Sequence, residues 1–137
     1  MSYLVDTNVL SEPTKPAPNS NVVAWLDLHG GEVFVSALTL GEIEKGIRLL
    51  PSGKRRKSHE LRYEELLETL EGSVLSLTSE TMTVWAEMYA REQLQGRKLP
   101  GFDSLLAATA LQHKLTMVTR NERDFPKGLP ILNLWKL

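Results

Sequence analysis

The sequence has 137 residues, of which 42% are hydrophobic and 24% are charged, and its formal net charge is −1. This length suits one domain covering residues 1–137, and the composition is that of an ordinary folded protein rather than a disordered chain. The absence of cysteine excludes disulfides, thiolate metal sites and cysteine nucleophiles. The net charge is not the strongly basic balance that usually accompanies nucleic-acid binding.

The sequence shows no sign of a membrane or secretion segment. No apolar run approaches the ~18 residues that a membrane-spanning helix needs. The first residues reach a carboxylate at Asp6 and have neither the basic nor the long apolar region of a secretion signal. We therefore expect a cytoplasmic protein with no membrane partner.

Hydrophobic spacing and turn residues predict alternating strands and helices. In chain order they are a strand at 3–5, a loop at 13–19, a helix ending at Gly30-Gly31, a strand at 33–36, and a helix from about Leu40 ending at Pro51. They are followed by a basic linker at 52–58, a helix with apolar residues at 61–70, a strand at 74–77 and a helix from Thr78 or Ser79 to about Gln95. The last predicted elements are a helix at 103–113 and strands at 115–119 and 131–134. This alternation predicts an α/β fold whose layers surround a mainly parallel sheet.

Four acidic residues stand at the ends of these elements, and each has a purely structural explanation. Asp6 could begin a turn after the first strand. Thr39 and Glu42 fit the T-x-x-E capping box at a helix start. Asp103 stands where a helix N-cap belongs, and Asp124 could be a turn residue.

Taken together, the four acids predict a metal site. Asp6 and Asp124 follow strands while Glu42 and Asp103 begin helices, so all four belong at the sheet edge where α/β folds bind ligands. Two carboxylates about 5 Å apart repel by roughly 3 kcal/mol at an effective dielectric near 20. Partial protonation would relieve part of this repulsion, and a divalent cation would relieve it directly. Oxygen-only ligands favour Mg²⁺ or Mn²⁺ over zinc.

Four segments also resemble, in the same order, the motifs of PIN-domain ribonuclease toxins of the VapC and FitB type. They are residues 4–12 with Asp6-Thr7-Asn8, residues 35–42 ending in Glu42, residues 102–110 with Asp103, and residues 117–125 with Thr119-Arg120-Asn121 and Asp124. Each motif alone is weak evidence. The resemblance is strong because it covers nearly the whole chain.

The resemblance implies a PIN-like three-layer α/β/α fold and a metal-dependent endoribonuclease, the toxin of a toxin–antitoxin pair. It assigns catalysis and Mg²⁺ or Mn²⁺ binding to Asp6, Glu42 and Asp103, with Asp124 or Asn121 completing the site. Predicted substrate contacts are Asn8, Thr119, Arg120 and Asn121. Further candidates for contacts to the RNA backbone are Arg123 and the basic residues 54–57, although a basic run is more often a solvated surface.

The resemblance further implies a homodimer and a small antitoxin that covers the acidic site. Several large apolar residues are candidates for these interfaces, although core packing explains most of them equally well. They are Trp25, Met82, Trp85, Met88 and Tyr89.

Two alternative functions remain open. A phosphatase of the haloacid-dehalogenase kind also begins with a strand ending in aspartate, but it normally has a second aspartate where this chain has Asn8. A non-catalytic PIN-like module that binds RNA or protein would have no need to tolerate repulsion among Asp6, Glu42 and Asp103.

Overall fold

The computed structural model describes every residue from Met1 to Leu137. It contains five strands and six α-helices. In chain order these are β1 (Tyr3–Val5), α1 (Thr7–Ser11), α2 (Ser20–His29), β2 (Val33–Ser36), α3 (Ala37–Arg48), α4 (Lys54–Thr69), β3 (Val74–Leu75), α5 (Ser79–Leu94), α6 (Gly101–His113), β4 (Thr116–Val118) and β5 (Ile131–Leu132). Short 3₁₀ turns lie at Glu12–Thr14, Gly30–Glu32, Glu122–Asp124 and Leu134–Lys136.

The five strands form one parallel sheet in the order β3-β2-β1-β4-β5. Tyr3 of β1 pairs with Val33 on one side and with Thr116 on the other, so β1 is central. In chain order, β2 and β3 are added on one side of β1, and β4 and β5 are then added on the opposite side. The sheet order therefore reverses between β1 and β4, and a crevice at the carboxyl ends of such strands is the usual ligand site.

Helices cover both faces of the sheet, which confirms the predicted three-layer α/β/α fold. Successive strand residues point to opposite faces, so Leu4 packs in a core with Met88 of α5 and Leu106 of α6. Val5 faces the second core, which includes Val9 of α1. No helix in the structure combines the length and the apolar character needed to cross a membrane.

The basic segment predicted as a linker proves to be helical. Helix α4 begins at Lys54, so residues 54–57 form its first turn rather than part of a 52–58 linker. The break between α3 and α4 is shorter than predicted, because Gly53 supplies a backbone with φ of 152° that most residues rarely adopt.

Helix α1 (Thr7–Ser11) lies where a turn was predicted after the first strand, and the remaining differences lie at helix and strand ends. Helix α6 begins at Gly101, two residues before the predicted start, with Pro100 as its N-cap. The fixed φ of proline suits this position, and the Ser104 amide donates to the Pro100 carbonyl. Strand β5 ends at Leu132 because Asn133 caps the following 3₁₀ turn.

Lys114 ends α6 in the left-handed conformation, at φ 56° and ψ 47°, and it is the one non-glycine residue with positive φ. Glycine adopts this conformation without a Cβ penalty. We expect Lys114→Gly to raise the free energy of unfolding by up to about 1 kcal/mol, measured by urea denaturation. Lys114→Ala keeps the Cβ and should give no such gain; equal effects of the two changes would contradict the prediction.

Candidate active site

Asp6 is held rigidly at the carboxyl end of β1. It caps α1, with Oδ1 accepting a hydrogen bond from the Val9 amide at 3.1 Å. The Thr119 hydroxyl, at the end of β4, donates to Asp6 Oδ2 at 2.6 Å. Burial raises the pKa of Asp6, and the Thr119 and Val9 hydrogen bonds offset part of that rise. The side chain is 7% exposed, so its orientation is set by the two neighbouring strands.

Glu42 reaches the same region from the second turn of α3. The Thr7 hydroxyl donates a short hydrogen bond to Glu42 Oε1 and so connects α1 with α3. The predicted capping box is absent, because Ser36 caps α3 by accepting from the Leu38 amide at 3.1 Å. The buried Thr39 hydroxyl has no hydrogen-bond partner. Glu42 is therefore free of a capping role.

Asp103 lies in the first turn of α6, half-buried and close to the other acids. Its pKa is raised from 3.8 to about 6, chiefly by burial and then by repulsion from Asp124, Asp6 and Glu42. Asp124 ends the 3₁₀ turn that follows β4, where its amide donates to the Asn121 carbonyl at 3.1 Å. The fold thus brings the four predicted acids close enough for Asp6, Glu42 and Asp124 to repel the charge of Asp103.

The chemistry of these four side chains fits a hard divalent cation, since all their donor atoms are carboxylate oxygens. Their present arrangement is not a closed ligand cage, because no group of three or more acidic or histidine side chains is placed to hold a metal ion. The residues therefore have the right donors in the right region, and side-chain rotation would have to complete a coordination sphere.

The predicted substrate contacts have different positions. Asn8 is exposed on α1, and Arg120 and Asn121 are exposed just after β4. Thr119 is fully buried and bonded to Asp6, so it positions that acid instead of contacting substrate as predicted. The burial arises because Thr119 pairs with the adjacent strand, its amide donating to the Leu132 carbonyl.

A polar cleft of about 600 Å³ lies beside Asp124. Its lining residues are Arg120, Asn121, Glu122, Arg123, Asp124 and Lys136. The Arg120 guanidinium lies over the Trp135 ring, 5.3 Å from its centroid. Lys136 pairs with Glu122 at 2.6 Å. The cleft therefore places three cationic side chains next to the acids.

A second, larger groove of about 620 Å³ runs between α1, α3 and α4 and reaches the acids at Thr7 and Glu42. Apolar residues line part of it: Leu10, Ile43, Ile47, Leu50 and Leu66. Arg55, His59 and Arg62 line its α4 side. Arg55 belongs to the basic residues 54–57 that the sequence analysis proposed as RNA contacts, whereas His59 and Arg62 were not predicted, although the four- and three-residue spacing along Arg55, His59 and Arg62 was the available signal.

The large apolar residues divide between core and surface. Trp25 and Met88 are buried in the two cores. Met82 is 41% exposed on α5, while Trp85 and Tyr89 are half-buried and contact one another with ring centroids 5.1 Å apart. Of these five residues, only Met82, Trp85 and Tyr89 have exposed surface that an interface could bury.

The raised pKa of Asp103 predicts how stability depends on pH without metal. The folded protein binds the Asp103 proton more tightly than the unfolded chain, so ionisation destabilises the fold as pH rises from about 4 through about 6. In EDTA, Asp103→Asn should therefore melt above the wild type at pH 7, and this advantage should shrink towards pH 5. A difference in melting temperature that is constant across this range would contradict the placement of Asp103.

Comparison with known proteins agrees with this geometry. The PIN domain model matches residues 3–127. The chain is 36% identical over 135 residues to Toxin FitB of Neisseria gonorrhoeae, covering 96% of this chain and 97% of FitB. It is 35% identical over 136 residues to VapC ribonuclease Y4jK of Sinorhizobium fredii, covering 97% of each. The crystal structure of FitAcB from Neisseria gonorrhoeae superposes with a TM-score of 0.92 at 36% identity, covering 98% of this chain and 99% of that one. The chain therefore belongs to the PIN-domain family.

Proposed function

We propose that this chain is a metal-dependent endoribonuclease that acts as the toxin of a toxin–antitoxin pair in the cytoplasm. The observation that carries the proposal is the convergence of Asp6, Glu42, Asp103 and Asp124, where burial and then repulsion from the other three acids raise the pKa of Asp103 to about 6. A relative that covers nearly the whole chain is named a ribonuclease, which supports RNA as the substrate.

Asp6, Glu42 and Asp103 would hold Mg²⁺ or Mn²⁺, with Asp124 completing the site. When bound, the cation lowers the pKa of a water molecule and stabilises negative charge on the phosphate. The protein keeps the carboxylates oriented: Thr119 and the Val9 amide hold Asp6, and Thr7 holds Glu42. A carboxylate oxygen that is not used for the metal can orient the attacking water.

The basic residues of the polar cleft would hold the RNA strand next to the acids. Arg120, Arg123 and Lys136 can contact backbone phosphates, which supplies affinity without sequence preference. Asn121 lines the same cleft, and exposed Asn8 lies on α1 two residues after Asp6, so both are proposed as further RNA contacts. Because the chain as a whole is slightly acidic, this local concentration of positive charge matters more than the net charge.

The non-catalytic alternative has less support. A module that only binds RNA or protein gains nothing from a half-buried carboxylate whose pKa is raised by burial and by three acidic neighbours. The phosphatase alternative lacks its second aspartate, because the corresponding position is the exposed Asn8.

We also propose an antitoxin partner, for which the groove between α1, α3 and α4 is the best-suited surface. The groove is partly apolar and open, and it ends at Glu42, so a protein segment bound there would also cover the acids. A homodimer is proposed from the family resemblance, and exposed Met82 is a candidate for its interface.

Metal-dependent cleavage separates the proposed nuclease from a binding module. Wild-type protein should be stabilised by Mn²⁺, by roughly 2.7 kcal/mol at ~100 times the dissociation constant, and should cleave single-stranded RNA. Asp103→Asn should lose most of both responses in thermal-shift and cleavage assays. Asp6→Asn should lose turnover while it still binds RNA. An undiminished cleavage rate in both variants would contradict the assignment of these acids.

A substitution on the groove surface tests the partner. Leu50→Glu places a charge in the apolar part of the groove, away from the acids, so RNA cleavage should continue. Inhibition by the cognate antitoxin, taken from the genome that encodes the chain, should weaken at least about tenfold, or 1.4 kcal/mol. Lys57→Glu, an exposed change on α4 outside the groove lining, is the control. Equal inhibition of wild type and Leu50→Glu would exclude the groove.

A further inference from the structure

The end of α5 folds back on itself through a glycine turn. Gly96 has φ of +82°, the Arg97 amide donates to the Glu92 carbonyl at 2.9 Å, and the Gly96 amide donates to the Gln93 carbonyl at 3.0 Å. These two bonds form the Schellman motif that commonly ends helices at glycine. The motif turns Arg97 back alongside the last turn of α5, next to Glu92.

Glu92 and Arg97 then form an ion pair of a buried glutamate with a half-buried arginine, which we name the α5 clasp. Arg97 Nη1 lies 3.1 Å from Glu92 Oε1 and 3.5 Å from Oε2. The Glu92 side chain is only 6% exposed, an unusual position for a glutamate. Removing the Glu92 carboxylate from water is costly, and that cost offsets much of the attraction between the two charges. We therefore expect the clasp to have a role other than stabilising the fold.

The same two side chains hold the segment that follows Asp124. Arg97 Nη2 donates to the Phe125 carbonyl at 3.1 Å, and the Lys127 amide donates to Glu92 Oε1 at 3.3 Å. Phe125 is 2% exposed and directly follows Asp124. The clasp thus ties α5 to the backbone immediately beside one of the four acids.

The clasp also lies on the chain that leads to Asp103. Arg97 is four residues before the start of α6 at Gly101, and Asp103 is in the first turn of that helix. The intervening chain is held by the Tyr89 hydroxyl, which donates to the Leu99 carbonyl at 3.4 Å. One ion pair therefore contacts both the segment that leads to α6 and the segment that follows the 3₁₀ turn carrying Asp124.

We propose that Glu92 and Arg97 are positioning residues that hold Asp124 opposite Asp103 at the metal site. Asp124 needs such support because its own turn is a single 3₁₀ turn between β4 and β5, with the Asp124 and Phe125 amides as its backbone donors. The inference rests on the proposed nuclease function, because it assigns Glu92 and Arg97 a role in that site.

The test combines clasp variants with the loss of Asp124. Glu92→Gln removes the charge, and Arg97→Lys keeps the charge but loses the forked contact to both Glu92 and Phe125. Each should lower kcat for RNA cleavage, and weaken Mn²⁺ binding, by about 10- to 100-fold, the usual cost of losing a partner that supports a metal ligand. The KM for RNA should change little. In an Asp124→Asn background, Glu92→Gln should cause no further loss of kcat.

Val22→Ala is the control for general destabilisation, since Val22 is buried on α2 in the second core, which includes neither Leu99 nor Phe125. It should lower the melting temperature while kcat stays near the wild-type value below that temperature. Full additivity of Glu92→Gln and Asp124→Asn, or an equal loss of kcat in Val22→Ala, would overturn the positioning role.

Hydrogen exchange provides a measurement that does not depend on catalysis. Amides of residues 121–127 should exchange faster in Glu92→Gln, while those of β4 remain protected. Unchanged exchange at 121–127 would overturn the inference even if the protein were no nuclease. Conversely, a wild type that neither binds Mn²⁺ nor cleaves RNA, but shows the exchange difference, would refute the proposed function while leaving the clasp intact.

Discussion

Repulsion among four carboxylates is the constraint on which the site depends. Asp6, Glu42, Asp103 and Asp124 come from four different parts of the chain, and repulsion among them adds to the larger effect of burial in raising the pKa of Asp103 to about 6. Without a ligand, this arrangement opposes folding. A protein whose total stability is typically ~5–15 kcal/mol can keep such a cluster only if the rest of the structure holds it in place.

The parallel sheet provides most of that support. Its order reverses between β1 and β4, so Asp6 at the end of β1 and Thr119 at the end of β4 meet across a hydrogen bond. Helix α3 then brings in Glu42, which Thr7 binds. On the opposite side, α6 carries Asp103, and the α5 clasp holds the segment after Asp124. Each acid is thus attached to a different rigid element.

Two surfaces of contrasting chemistry border the acids. The polar cleft beside Asp124 offers Arg120, Arg123 and Lys136, which suits a phosphate backbone. The groove at Glu42 is partly apolar, which suits a protein segment. In the proposed function, substrate and inhibitor would therefore approach the same carboxylates from different sides, and the chain could cleave RNA or be silenced without any change in its core.

The sequence by itself determined the alternation of strands and helices, the parallel α/β class and the acids at one edge. These follow from local hydrophobic period and from the rule that strand ends and helix starts share an edge. It misplaced helix ends, because Gly53 and Pro100 act through backbone geometry that hydrophobic spacing does not report. It also left a capping box open as the structural explanation of Thr39 and Glu42, since a local motif cannot show that Thr7, 35 residues from Glu42, binds that carboxylate.

Only the tertiary structure decided the order of the strands, the burial of Thr119, the groove on α4 and the pairing of Glu92 with Arg97. These four features depend on contacts between residues that come together only when the helices and strands pack. Even Glu92 and Arg97, five residues apart, acquire their role from the distant Phe125 carbonyl and Lys127 amide. The candidate acids could be found in the sequence because strand and helix ends mark them, whereas the groups that orient them could not, because long-range packing selects those partners.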